Sequence, residues 1–180
     1  MPDIYAVLHE LGIVYERYDH PAVFTVLDVQ RLVPPLGGAH TKNLFLRDKK
    51  GRQHVLLVVP SNKQVDIKAL SGLLGLGHLS FGSPERLMKY LGVEPGSVTL
   101  LALINDARNE VSVSIDRDLW NAAALQCHPL VNTATLVISR EGIEQFLRAT
   151  GHPYQLVEVP VTVVADPPHP AVPAPSDRCP

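Results

Sequence analysis

The chain has few of the residues that stabilise secreted or metal-binding proteins. Its 180 residues include two cysteines, Cys127 and Cys179, and a single tryptophan. Two cysteines cannot build a disulfide framework or a cysteine-based metal site, so we expect a reducing, cytoplasmic environment. The eight histidines are scattered along the chain, and none stands beside a second ligand at metal-site spacing. We therefore expect neither a metal nor a cofactor.

Long apolar runs and an excess of positive charge are also missing. The longest apolar segments are strand-sized, so no membrane span is expected, and the acidic N-terminus is unlike a signal peptide. The net charge of −2 argues against a general nucleic-acid binder, so a nucleic-acid partner would have to meet a local basic patch. Motifs of zinc proteases, dinucleotide-binding folds, phosphate loops and serine hydrolases are absent.

The apolar content of 46% is enough for the core of one domain. Apolar spacing and capping residues predict helices over 3–11, 25–33, 66–74, 83–92 and 139–151. A hairpin is predicted over 39–60, and further strands over 14–18, 97–104, 110–115, 133–138 and 154–159. Because short turns join several strands, we expect an α/β (α+β) fold, a single compact domain with a mixed, largely antiparallel sheet surrounded by helices.

The composition changes near the C-terminus. Seven of the last 21 residues are proline, which is typical of an extended, flexible segment. The sequence therefore predicts a domain over residues 1–160 and a proline-rich tail over residues 161–180.

Three stretches could carry chemistry. In Thr41-Lys42-Asn43, the lysine is either a charge that protects a strand edge or a site residue. Cys127-His128 leads into a loop that is either an ordinary turn with a hydrogen-bonded histidine or part of a site. The turn at 96–99 is either structural or a set of backbone amides that face a carbonyl or phosphate oxygen.

Four segments agree in order and spacing with a known family: "HPAVFT" (20–25), "TKNLFLRDKKG" (41–51), "PGSVTLLALIND" (95–106) and "CHPLVNTATLVISREGIEQFLRATGHPY" (127–154). Over roughly residues 1–160 the chain resembles the YbaK/prolyl-tRNA-synthetase-associated editing domain, and most of all its free-standing branch that deacylates Ala-tRNA(Pro). One departure is Leu100, where family members commonly have the proline of a G-x-x-x-P loop. That difference bears on the rigidity of the loop and on substrate choice.

The resemblance implies a trans-editing hydrolase that cleaves the ester of mischarged Ala-tRNA(Pro), and it implies the roles of individual residues. The implied catalytic residues are Lys42 and His128. The implied substrate-binding residues are Thr25, Thr41, Asn43, Gly96, Ser97, Thr99 and Asn132. On their basic character, the candidate tRNA contacts are Lys49, Lys50, Arg52, Arg86 and Lys89. The expected partners are the acceptor end of mischarged tRNA(Pro) and, transiently, prolyl-tRNA synthetase, and the expected state is a monomer.

Lys42 fits the role of a charged anchor better than that of a general base. A lysine base at pH 7 would need its pKa lowered by roughly three units, which is about 4 kcal/mol of differential stabilisation. A charged lysine needs no shift to hold a carbonyl or phosphate oxygen, and a free ribose hydroxyl of the terminal adenosine would then help to activate water.

Other functions remain open at this stage. The same chemistry could act on Cys-tRNA(Pro) or a serylated tRNA. A non-catalytic tRNA or single-strand-binding module would bind uncharged tRNA without hydrolysis. A structural partner of a synthetase would use the proline-rich tail for docking.

Overall fold

The computed structural model describes residues 2–22 and 35–162. The α-helices in this part of the chain are Ile4–Glu10 (α1), Ile67–Leu73 (α2), Pro84–Leu91 (α3), Arg117–Trp120 (α4) and Arg140–Ala149 (α5), and a 3₁₀-helix spans Leu100–Asn105. Capping side chains explain where several helices begin. The predicted caps Asp3, Ser83 and Ser139 each accept a hydrogen bond from a backbone N–H in the first turn, and Asp66 does the same for α2.

The strands are Tyr15–Asp19 (β1), Ala39–Asp48 (β2), His54–Pro60 (β3), Leu79–Phe81 (β4), Val111–Asp116 (β5), Ala124–Cys127 (β6), Ala134–Ser139 (β7) and Tyr154–Val157 (β8). They form one sheet in the order β1-β7-β6-β2-β3-β5-β8, with β4 also paired to β2. Four of the pairs are antiparallel and three are parallel. The prediction of a mixed sheet with helices around it is therefore confirmed.

The long strand β2 holds the sheet together because three strands pair with it. Its first two residues pair in parallel with β6, residues 41–47 pair with β3, and residues 46–48 pair with β4 on the edge opposite β3. The predicted turn at 48–51 joins β2 to β3, and the Asp48 carboxylate closes it by accepting the backbone N–H groups of Arg52 and Gln53.

Each face of the sheet packs against its own core. One core contains Phe45, Leu56 and Leu125 together with the apolar sides of α1, α3, α5 and the 3₁₀-helix. The other is smaller and contains Leu46 and Leu57 beneath α2. Burying each of these large side chains contributes about 1.5–3 kcal/mol, and this burial fixes β2 between the two layers.

Some sequence predictions were wrong or incomplete. Residues 97–104 do not form a strand: the hydroxyl of Thr99 accepts the backbone N–H of Leu101 and starts the 3₁₀-helix, whose first four residues are buried. A short, wholly apolar run shows no periodicity that separates a buried strand from a buried helix. The sequence reading also missed β4, β6 and α4, and the helix predicted over 25–33 lies outside the described residues.

The described chain ends beyond the predicted domain boundary at residue 160. Val161 forms an isolated bridge with Val65, and the backbone N–H of Thr162 donates to the carbonyl of Gln64. Residues 163–180, most of the predicted tail, lie outside the described part. Within residues 2–22 and 35–162, no helix is long and apolar enough to span a bilayer.

Candidate active site

The first structural result about the site is that Lys42 and Asn43 point to opposite faces of the sheet. Side chains alternate along a strand, and β2 shows this clearly, because Phe45 lies in the larger core and Leu46 in the smaller one. Lys42 therefore shares a face with Leu46 and with His40, whereas Asn43 shares the face of Phe45.

On the Lys42 face, three histidines lie near the start of β2, and we call His20, His40 and His128 the histidine cluster. The rings of His20 and His128 meet edge to face with their centroids 6.3 Å apart. His20 is buried, and its Nε2 lies 3.0 Å from the hydroxyl of Thr135. The pairing of β1 with β7 thus brings together residues that are more than 100 positions apart in the sequence.

The protonation of His128 follows from its hydrogen bond. Its Nδ1 lies 3.0 Å from the carbonyl oxygen of Ala134, which can only accept, so Nδ1 carries the proton and Nε2 of the neutral ring is an acceptor. Burial lowers the pKa of His128 and outweighs this hydrogen bond, and the nearby His20 adds to the lowering. Burial, together with the charge of His128, also lowers the pKa of His40. Both rings are therefore neutral at pH 7.

The ammonium group of Lys42 has no counter-ion among the described residues. Within the two described ranges its side chain makes no hydrogen bond and no ion pair, and partial burial lowers the pKa of its ammonium group. A half-buried ammonium that lacks a carboxylate partner gains most from an incoming carbonyl or phosphate oxygen.

A small cavity of about 20 Å³ adjoins the histidine cluster and is lined by His40, Thr41, Gln126, Cys127, His128 and Thr135. That volume accommodates about one water molecule. The hydroxyl of Thr41 is already used, since it donates to the carbonyl of Gln126 at 2.7 Å. No three His, Cys, Asp or Glu side chains in the described segments are grouped so that they could hold a metal ion.

Asn43 and Phe45 line a larger cavity of about 240 Å³ at the edge of β2, which we call the apolar pocket. Its lining residues come from β2, the end of β4, the start of α3 and the loop before the 3₁₀-helix: Asn43, Leu44, Phe45, Phe81, Gly82, Pro84, Leu87, Pro95, Gly96 and Val98. The Oδ1 atom of Asn43 is buried and has no hydrogen-bond partner among the described residues. An unsatisfied buried polar atom costs about 1–3 kcal/mol, so this atom favours a ligand with a donor.

The backbone of β2 is also open towards the apolar pocket. The carbonyl of His40 and the N–H of Asp48 bond to the β3 side, whereas the carbonyl of Phe45 accepts the N–H of Gly82 on the opposite side. By alternation, the backbone N–H and carbonyl of Asn43 also point away from β3. On that edge β6 pairs only with residues 39–40 and β4 only with residues 46–48. Asn43 therefore borders a gap in the sheet.

The remaining predicted substrate residues are placed as follows. Gly96 lies in the pocket wall with a φ of 91°. The N–H of Ser97 donates to the carbonyl of Glu94, and Thr99 is fully buried as the cap of the 3₁₀-helix. Asn132 lies in the loop that joins β6 to β7, and Thr25 lies outside the described residues.

The five basic residues predicted to contact tRNA come from two neighbouring elements, the β2–β3 turn and α3. Arg86 joins them, because its Nη1 lies 3.1 Å from both the carbonyl of Gly51 and Nε2 of His54. Lys89 lies 4.8 Å from the centre of the Tyr90 ring. Lys49, Lys50 and Arg52 are on the turn itself. We call this group the basic patch. The contact of Arg86 with the β2–β3 turn was not predicted.

The sequence singled out Lys42, Asn43 and His128 as candidates, but not His20, His40 and Phe81, which the structure places around the two cavities. For His40 a signal was available, because alternation along the predicted hairpin places it on the same face as Lys42. The place of His20 depends on pairing between β1 and β7, which no local pattern shows.

Comparison with known proteins agrees with this architecture. A model of the aminoacyl-tRNA editing domain matches residues 20–146. The prolyl-tRNA editing protein ProX of Acetoanaerobium sticklandii is 36% identical over 156 residues, which are 87% of this chain and 95% of that protein. Prolyl-tRNA synthetase associated domain-containing protein 1 of Xenopus laevis is 38% identical over 154 residues, with 83% and 91% covered.

A solved structure of a hypothetical protein superposes with a TM-score of 0.66 at 18% identity, over 86% of this chain and 97% of that one. It shows that the two chains share a fold. The range matched by the family model covers most of the chain and all of β2. The chain therefore belongs to the aminoacyl-tRNA editing domain family and is an aminoacyl-tRNA deacylase.

Proposed function

We propose that the protein edits prolyl-tRNA in trans, hydrolysing the ester that joins alanine to the terminal adenosine of mischarged tRNA(Pro). The names of the two relatives point to prolyl-tRNA as the tRNA concerned. The observation that carries the choice of a small amino acid is the apolar pocket. Its volume of about 240 Å³ lies below the usual range for drug-sized ligands, which is about 300–1,000 Å³, and so supports a ligand of amino-acid size. The preference for alanine over proline is the part of the proposal that the hydrolysis experiment below tests.

A small second site answers a selectivity problem that a synthetase cannot solve by binding alone. A synthetase site built for proline binds proline only about 1–3 kcal/mol more tightly than a ligand that is smaller by one or a few methylenes. A pocket that admits alanine and is too narrow for the proline ring removes the error after it has been made. In this proposal, Oδ1 of Asn43 accepts a hydrogen bond from the ammonium group of the bound alanine.

The ester carbonyl and the terminal ribose then lie at the gap in the edge of β2. Side chains from both faces of the sheet border this gap. The Lys42 ammonium holds a carbonyl or phosphate oxygen, and it stabilises the negative charge that develops during attack. Nε2 of the neutral His128 accepts a hydrogen bond from the attacking water or from the ribose hydroxyl that activates it. A free ribose hydroxyl and a placed water suffice for hydrolysis, so no enzyme nucleophile is needed.

The decisive experiment is hydrolysis of Ala-, Pro- and Cys-tRNA(Pro) by the full chain and by Lys42→Ala and Lys42→Arg. We expect Ala-tRNA(Pro) to be cleaved and Pro-tRNA(Pro) to be retained. Lys42→Ala should lower kcat/KM at least 100-fold, whereas Lys42→Arg, which keeps the charge in another geometry, should retain part of the activity. Arg108→Ala, which removes an exposed cation outside the site, is the matched control.

Each alternative has its own outcome. Preferential cleavage of Cys-tRNA(Pro) would keep the mechanism and overturn the choice of alanine. Binding of uncharged tRNA without cleavage of any ester would favour a non-catalytic module. Equal activity of Lys42→Ala and the wild type would remove Lys42 from the mechanism.

A further inference from the structure

One exposed aromatic ring at the entrance of the apolar pocket has no role in the chemistry described so far. Among the large apolar side chains of residues 2–22 and 35–162 that are exposed, Phe81 is the aromatic one, with 59% of its surface accessible. It ends β4 and lines the same pocket as Asn43 and Gly96. Large aromatic rings are normally buried, so an exposed ring at a pocket entrance points to a binding surface.

Strand pairing holds the backbone that carries this ring. Phe81 pairs with Leu46 of β2, and the next residue, Gly82, donates its N–H to the carbonyl of Phe45 at 2.9 Å. Gly82 also packs directly on the Phe45 ring: a Cβ atom at this glycine would lie 2.5 Å from Cδ1 of Phe45. Because the backbone beneath the ring is already fixed, only the side-chain freedom of Phe81 is lost when a flat ligand stacks on it.

The surroundings of Phe81 indicate which ligand that is. Pro84, at the start of α3, lines the pocket beside Phe81. An exposed aromatic ring is a surface on which proteins stack the unpaired bases of single-stranded nucleic acid, and in the proposed function the terminal adenosine lies next to this pocket.

We propose that Phe81 stacks on the adenine base of the terminal adenosine while the aminoacyl group occupies the apolar pocket. This inference rests on the proposed function, because it places the nucleoside next to the ester that is cleaved. The exposed ring sets the position of the adenosine, and so Phe81 is a positioning residue that contacts the substrate away from the reacting atoms.

The test compares two small substrates that differ only in the base. One is alanyl-adenosine, and the other is the alanyl ester of methyl riboside, which keeps both ribose hydroxyls and lacks the base. Phe81→Ala should lower kcat/KM for Ala-tRNA(Pro) and alanyl-adenosine about five- to a hundredfold, the range found for loss of base–aromatic stacking. The riboside ester should be cleaved at a rate within twofold of the wild type, and Phe81→Tyr should restore cleavage of alanyl-adenosine.

Leu73→Ala is the matched control, because Leu73 is 55% exposed on α2 and lies outside the pocket. An equal loss with both small substrates, or no loss with either, would overturn the stacking role. Failure of the proposed function looks different, since the wild type would then cleave no alanyl ester. In that case binding of an uncharged CCA oligonucleotide, compared with one whose last base is removed, still measures stacking on Phe81.

Discussion

Cys127 lies where a nucleophile would be expected, and its environment predicts that it is chemically inert. The thiol adjoins His128 in the sequence and lines the small cavity beside the histidine cluster. Yet only 3% of the residue is exposed, and burial raises the pKa of the thiol to about 12. At pH 7 the thiolate fraction is then about 10⁻⁵, compared with about 3% for an exposed cysteine, so attack is slower by roughly three orders of magnitude.

This reasoning can be tested by alkylation with iodoacetamide in a Cys179→Ser background, followed by mass spectrometry. In the folded protein Cys127 should stay unmodified for hours at pH 7, whereas in urea it should react at the rate of an ordinary thiol. Cys127→Ala should keep kcat/KM for Ala-tRNA(Pro) within about threefold, and single-turnover experiments should show no covalent acyl-enzyme. Removing a true nucleophile typically costs many orders of magnitude.

The result that would refute the argument is rapid labelling of Cys127 in the native protein together with loss of activity. A loss of more than 100-fold in a Cys127→Ala protein with unchanged circular dichroism would refute it as well. Either outcome would replace water attack assisted by the substrate with covalent catalysis.

Two further predictions concern stability. Lys63 forms a 2.6 Å ion pair with Asp116, which is fully buried. Lys63→Met should lower the free energy of unfolding, measured in urea, by about 3 kcal/mol, because it leaves the buried carboxylate without a partner. The double variant Lys63→Met/Asp116→Asn should recover most of this loss. Burial opposes the charge of Lys63, but its hydrogen bonds to Asp116 and Asp118 raise its pKa above the unfolded value. The contribution of Lys63 to folding stability is therefore complete below the unfolded pKa and disappears as the pH rises through the folded pKa. Gly82→Ala should cost about 1–3 kcal/mol, because the new Cβ would lie 2.5 Å from the Phe45 ring, which is stacked on His54. Gly72→Ala is its control, since a Cβ there meets nothing within 4 Å and favours the helix; equal stability of the Gly82→Ala and Gly72→Ala proteins would contradict the argument.

Local patterns predicted much of the fold because they are set by neighbouring residues. Asp66 and Ser83 cap their helices as their types predict, and the hairpin turns at Asp48 as expected. Residues 97–104 were misread because a run buried on every side carries no period. The three-residue strand β4 was missed because it is held by pairing with β2 rather than by its own composition.

The candidate site was predictable only as separate pieces. Lys42, Asn43 and His128 stood out through their motifs, but their relative placement depends on which strands meet β2. The histidine cluster needs β1, β6 and β7 to be neighbours, and the apolar pocket needs β4 to cross beside the loop at 95–98. Contacts of this kind have no signature within a window of ten residues.

Lys42 and Asn43 occupy adjacent positions of β2, so the mechanism proposed above depends on the length of this strand. Inserting or deleting one residue upstream of Lys42 within β2 would exchange the faces on which the next residues lie. The ammonium would then enter the apolar side, and the amide would leave it, even though every side chain was still present. A single substitution removes one of these two side chains, whereas a change in strand length displaces both, so the alternation of β2 is itself a requirement of the proposed mechanism.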